Sequence, residues 1–179
     1  TSGLILKYNN SLAQTPYSSN CGGHTQNSSE VAFWAKEPYL LGQRDWTPVK
    51  IDQKSPWALE QWLKSQPKVY CNVRELMHPA EFRWSRMISA DTLSQRIRQY
   101  EKGFGTLKNI RILHRSLGGN INKIEFEGSG GNFTLRAEHK IRGIFGLGSV
   151  RSTMFLLEIN PGVNGPSDIF IYGGGWGHG

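Results

Sequence analysis

The sequence predicts a mixed α+β fold, with helices mostly in the first half and, in the second, an antiparallel sheet that could close as a barrel. Three observations carry this expectation. Before Gly103 the apolar residues recur at helical spacing between recognisable caps and stops. After Gly105 they alternate with polar residues at period two. The 21 glycines among 179 residues imply many turns.

Residues 3–17, GLILKYNNSLAQTPY, read as a strand, an Asn-Asn turn and a second strand. SSNCGGHTQNSSEV is turn chemistry leading into a short helix, capped by Asn27 with Glu30 three residues on. SPWALEQWLKSQP (55–67) is a better helix. Ser55 caps it, Pro56 suits the first turn, Ala58, Leu59, Trp62 and Leu63 share a face, and Pro67 ends it. Both Trp57 and Trp62 are expected to pack in the core. SADTLSQRIRQYEKG (89–103) is a third helix, capped by Ser89, with a stripe of Leu93, Ile97 and Tyr100 and a stop at Gly103. LKNIRILH, INKIEFEG and NFTLRA follow as strands. SLGGN and SGGN are their hairpin turns. HKIRGIFG makes one or two helical turns, and TMFLLEI and DIFIYG are apolar strands joined by a Pro/Gly-rich loop. No internal repeat is present, so residues 1–179 read as one domain.

The net charge of +7 and pI near 9.6 point to a polyanionic partner: nucleic acid, an anionic membrane or an anionic cell-wall polymer. No apolar run reaches 18 residues, so the chain holds no membrane-spanning segment of the helical kind. It opens on TSGLILKY, which reads as the middle of a domain, and both ends read as cut. The glycine runs are not phosphate loops, because GGGWGHG lacks the Gly-Lys-Ser/Thr ending and opens no helix. Nor does any strand interleave aromatic and basic residues as a base-stacking platform would, so nucleic acid is not the expected partner.

Three short stretches carry chemistry. In CGGHT (21–25) two glycines turn the backbone tightly between a cysteine and a histidine, which can expose N–H groups and set His24 at a helix start. In GGGWGHG the bare backbone lets a ligand approach, Trp176 offers a flat face for a sugar ring, and His178 titrates near neutral pH. In RSTMF (151–155) Arg151 can pair with a substrate carboxylate. Cys21 and Cys71 leave three readings open. They form a disulfide closing a loop of roughly 50 residues, worth roughly 4 kcal/mol in the chain-entropy model. They are partial metal ligands. Or they are two unrelated buried thiols. With one nearby histidine they fall short of a zinc set.

Taken in order, YSSNCGGHT, EVAFWAKEPYL, IRGIFGLGSVRSTMFLLEI and FIYGGGWGHG resemble the SpoIID/LytB domain over the whole chain. That resemblance implies an exported peptidoglycan lytic transglycosylase of the bacterial envelope, or an enhancer of cell-wall amidases, with peptidoglycan glycan strands and amidases as partners. The chemistry implied is cleavage by one carboxylic acid. It protonates the glycosidic oxygen, then acts as base while the sugar's 6-hydroxyl closes a 1,6-anhydro ring; ordinary glycosidases use two carboxylates and water. The resemblance makes His178 and His24 the candidate catalytic imidazoles. It makes Trp176, Gly174, Gly175, Gly177, Gly22, Gly23, Thr25, Arg151 and Ser152 the substrate-binding set, with glycines walling the glycan cleft. VYCNV and FRWSR match the variant with a second cysteine, which favours a Cys21–Cys71 disulfide. The resemblance leaves room for zinc near these cysteines in some relatives, but no cofactor is expected here. The chain departs from the pattern twice: the family's acidic residue is expected upstream of residue 1, and the Val-Gly-Met-Ser-Gln that continues the closing motif is missing. Glu30, Glu37 and Glu60 read as solvated, so the piece in hand is expected to bind glycan without cutting it.

Overall fold

The structure is a computed structural model that describes residues 3–31, 36–45 and 55–177. It opens with the hairpin of β1 (Lys7–Tyr8) and β2 (Ser11–Leu12), turned by Asn9 and Asn10. Both asparagines have positive φ, 48° and 62°, as a two-residue primed turn requires. The short α1 (Ser28–Val31) and α2 (Pro56–Lys64) follow. The Ser55 hydroxyl accepts from the N–H of Ala58, as its cap role requires. Asn27 does not cap α1 as expected: its Oδ1 accepts from Gly42 N at 2.7 Å, and its Nδ2 donates to the Glu30 carboxylate at 3.2 Å. A 3-10 turn (Tyr70–Asn72) and α3 (Pro79–Phe82) lead into β3 (Arg83–Ser89) and α4 (Ala90–Arg98), where Ser89 Oγ accepts from Thr92 N at 3.2 Å. The second half holds β4 (Leu107–Arg115), β5 (Ile121–Gly128), β6 (Gly131–Arg136), α5 (Glu138–Phe145), β7 (Phe155–Gly162) and β8 (Gly165–Gly174).

The class is therefore α+β as expected, and four of the five described helices precede residue 100. The barrel is not formed. The long strands make two separate antiparallel sheets, β3-β8-β7 and β4-β5-β6. The reason lies in the core. Leu93 and Ile97 of α4 and Ile141, Ile144 and Phe145 of α5 share one buried cluster with Trp84, Phe155 and Ile171 of the first sheet and Ile124 and Phe126 of the second. Helices fill the space that closure would need.

β3 has no counterpart among the expected elements. It pairs with β8 along its whole length, from Arg83↔Gly174 to Ser89↔Asp168. Its inward places are Trp84, Arg86 and Ile88, so a guanidinium interrupts the apolar alternation at an edge where it can reach water. A smaller core gathers Leu59, Trp62 and Leu63 of α2 with Val69, Phe82 and Met154. Trp57 is not in it. It lies on the other side of α2 and is 70% exposed, which corrects the expectation that both tryptophans of this helix are core residues.

Candidate functional site

The two glycine-rich stretches, 150 residues apart in sequence, are brought into one junction. Where β8 runs out, Trp176 N donates to Asn20 O at 2.7 Å and Asn20 N donates back to Trp176 O at 3.1 Å. Gly175 N bonds Phe82 O, and Gly177 N bonds Arg151 O at 2.8 Å. The Asn20 side chain holds the other half. Its Oδ1 accepts from Gly22 N at 2.8 Å and its Nδ2 donates to Cys71 O at 2.7 Å.

The glycines serve this crossing of two backbones. A Cβ on Gly22 would sit 3.0 Å from the main chain of Gly174 and Gly175, and one on Gly175 would sit 2.8 Å from Asn20 O, with φ at +79°. Gly23 lies against the Trp62 ring, where an added Cβ would come within 2.3 Å. Gly22, Gly23, Gly174 and Gly175 are all buried against protein. The N–H groups of the turn are likewise taken up: Gly23 N by Cys21 Sγ, His24 N by Cys21 O and Thr25 N by Gln43 O. The expectation that this turn exposes its N–H groups is not met, because Asn20, Cys21 and the strand-like segment at Gln43 use them.

Three side chains that sequence reasoning did not assign to a site fix the junction. Trp62 Nε1 donates to Gly22 O at 3.2 Å, Trp84 Nε1 donates to Gly175 O at 2.8 Å, and Arg83 donates to Gly22 O and Trp62 O at 3.0 Å each. The Arg83 guanidinium stacks 3.8 Å from the Phe82 ring centroid. Burial pulls its pKa down to about 9, so at neutral pH it is still a cation. The FRWSR stretch was the available signal, since it sets an arginine between two large aromatics.

Of the expected substrate-binding residues, Trp176 and Arg151 reach the surface together. The Arg151 guanidinium lies 4.3 Å from the Trp176 ring centroid and also donates to Ala80 O; the Trp is 37% exposed. Ser152 is buried: its hydroxyl donates to Gly174 O at 2.6 Å and accepts from Met154 N. Thr25 bonds Gln43 through both Oγ1 and its backbone. His24 is not at a helix start, since α1 begins at Ser28. It turns toward the β4–β5 connection, where a Cβ on Gly118 would meet its Nδ1 at 3.2 Å, and its Nδ1 lies 2.5 Å from Thr25 O. Desolvation lowers its pKa and keeps the imidazole neutral. His178 lies outside the described residues.

Beneath the turn the sulfurs of Cys21 and Cys71 are 2.8 Å apart as free thiols. Asp45 joins them, accepting from Cys71 N at 2.6 Å and from the Cys21 thiol at 3.7 Å. The contact with Cys71, with burial added, pushes the Cys21 thiol up; accepting from Cys21 pulls the Cys71 thiol down. The three donor atoms lie within 4.8 Å of one another, so Cys21, Asp45 and Cys71 are the described residues that could hold a metal ion, one ligand short of a closed zinc set.

Against this geometry stand the comparisons. The amidase enhancer of Bacillus subtilis (strain 168) is 48% identical over 93 residues, 51% of this chain and 12% of that protein. The matched region thus spans about an eighth of the relative. No solved structure matches. The model of one family covers residues 28–179, reaching from α1 through the Arg151–Trp176 pair. The chain therefore belongs to the family described as domain of unknown function DUF8618.

Proposed function

We propose that this chain is a glycan-binding module of the bacterial cell envelope that promotes the action of a cell-wall amidase. The observation that carries this reading is the 48% identity to a protein named amidase enhancer. The geometry supports it. A pinned backbone junction holds Trp176 and Arg151 side by side at the surface. One face of the indole is taken by the guanidinium, the residue remains 37% exposed and so offers ring surface to a sugar, and the cation suits a sugar carboxylate. The glycines act in this reading by letting the two backbones cross so that the Trp is held still. The net charge of +7 favours an anionic wall polymer. Export to the envelope follows, and in an oxidising compartment Cys21 and Cys71 join as a disulfide.

The test is co-sedimentation with purified sacculi over a salt series, beside an amidase assay with and without the chain. Retention that weakens with salt, together with faster stem-peptide release, is expected. No retention at any salt and an unchanged amidase rate would sink the reading.

A second reading, lytic transglycosylase of the SpoIID type, draws on the meeting in space of the Cys-Gly-Gly turn and the Gly-rich end of β8. Cleavage needs a carboxylic acid near Trp176. Asp45 is committed to Cys71 and Cys21, so this reading takes its acid from the segment the resemblance expects upstream, with His178 and His24 as supporting imidazoles. Mass spectrometry of peptide-free glycan strands incubated with the full-length protein decides it. Fragments with 1,6-anhydro ends establish the activity, and intact strands remove it.

A further inference from the structure

A large groove lies away from the glycine junction. It lies on the outer face of the β3-β8-β7 sheet, under the overhang of α2, with a volume of about 990 Å³. Register places Ser85, Tyr172 and Leu156 in one row on its floor. One wall is the polar side of α2, with Trp57, Glu60 and Lys64. A second depression of about 600 Å³ shares Pro56, Leu156 and Leu157 with it and continues to His114 and Arg115 of β4. Together they make a channel running across the strands. At about 4.8 Å per strand, the β3-β8-β7 floor is roughly 10 Å wide, and β4 of the other sheet borders its far end. That shape suits a polymer better than a small metabolite.

Two features define its ligand. First, Trp57 is 70% exposed and Tyr172 45% exposed, and both line the same space. Flat aromatic faces bordered by hydroxyl, carboxylate and amine groups match the alternating apolar faces and hydroxyl edges of a sugar chain. The core of a protein-docking surface, by contrast, is depleted of charge. Second, the groove is short of anions. Glu60 is spent on Lys64. Arg83 and Arg115 line the walls, and Arg86, though at an inward place of β3, borders the groove from the open edge of that strand; their hydrogen bonds go to backbone carbonyls, of Gly22 and Trp62, of Gly119 and Phe155, and of Ser85 respectively. Against three guanidiniums bonded to neutral partners stands Glu158. We infer that this groove is a separate binding site for an acidic amino-sugar polymer, with Trp57 and Tyr172 as stacking platforms and the arginine-lined wall facing the polymer's carboxylates. It rests on the glycan reading above but assigns the strand to a different face from Trp176.

The probe is a soluble, peptide-free chain of alternating N-acetylglucosamine and N-acetylmuramic acid, compared with its carboxyl-reduced form, titrated calorimetrically into the chain. Trp57→Ala and Tyr172→Ala each weaken binding about tenfold, with unchanged circular dichroism since both residues are exposed. Arg86→Ala weakens binding of the acidic chain but not of the reduced one. If wild type binds and Trp57→Ala with Tyr172→Ala binds equally well while Trp176→Ala does not, the groove assignment falls and the junction keeps the glycan. If the groove variants keep glycan affinity and lose amidase stimulation, the groove is a protein-docking face and the inference is overturned. If wild type binds neither chain, the inference and the glycan reading fall together.

Discussion

His24 shows how one residue's chemistry is decided by what surrounds it. As a letter in CGGHT it is a titratable imidazole beside a flexible turn. In the fold it is 7% exposed, its ring at Thr25 O and its pKa lowered by desolvation. The unfolded chain takes up the proton near pH 6.5, before the folded protein does. The contribution of neutral His24 is therefore complete above about pH 6.5 and is lost as pH falls through the folded value. Urea unfolding from pH 7.5 to 5 should show stability dropping in the wild type and a shallower slope in His24→Asn. Equal slopes would mean that His24 is not a source of acid sensitivity. Gly23 and Gly175 make the same point for backbone. Their positive φ values and close neighbours make them parts of the packing, as the ring of Trp62 and the carbonyl of Asn20 leave no room for a Cβ.

At the scale of elements, α5 braces the segment that delivers Arg151. Glu138 and Arg142 are one turn apart and bonded at 3.0 Å, with side chains only 9% and 15% exposed, and Arg142 Nε also donates to Val150 O at 3.0 Å. Burial raises the Glu138 pKa, and Arg142 works against that rise. Arg142→Ala leaves a buried carboxylate without its cation, which costs about 3 kcal/mol. Because the carboxyl in that variant titrates above its ordinary value, the cost is full at high pH and shrinks as pH falls and Glu138 takes a proton. Unfolding at pH 8 and pH 5 measures both parts; a pH-independent loss would assign the effect to the Val150 bond instead.

The described residues form two cores tied by a crossing. The larger holds both sheets with α4 and α5; the smaller packs α2 and α3 under the junction. Cys21 and Cys71 face each other beneath that junction. Oxidation there closes a loop of roughly 50 residues and stabilises by roughly 4 kcal/mol, a rise of about 10 °C in Tm for a chain of this size. Thermal melts with and without reductant should separate by that order, and Cys21→Ser should abolish the difference. Superimposable melts, with both thiols titrating freely, would show that the pair works reduced. In that state Cys71 is the more readily alkylated of the two, its thiol pulled down by the bond from Cys21.

The sequence by itself determined the class, the caps of α2 and α4, the Asn-Asn hairpin and the period-two strands, because each follows from neighbours within a few residues. It also marked both glycine stretches, since a backbone so bare has few local explanations. What only the tertiary structure decided depends on contacts far apart in the chain. β3 needed β8 to pair with, because Arg86 breaks its apolar alternation. Trp57 and Trp62 share a helix and a residue type, and the packing of α2 against the sheet alone puts one in the core and the other on a groove wall. Two open sheets replaced the barrel because α4 and α5, about 40 residues apart, filled the space between them, and period-two alternation records which residues face inward, not what they face.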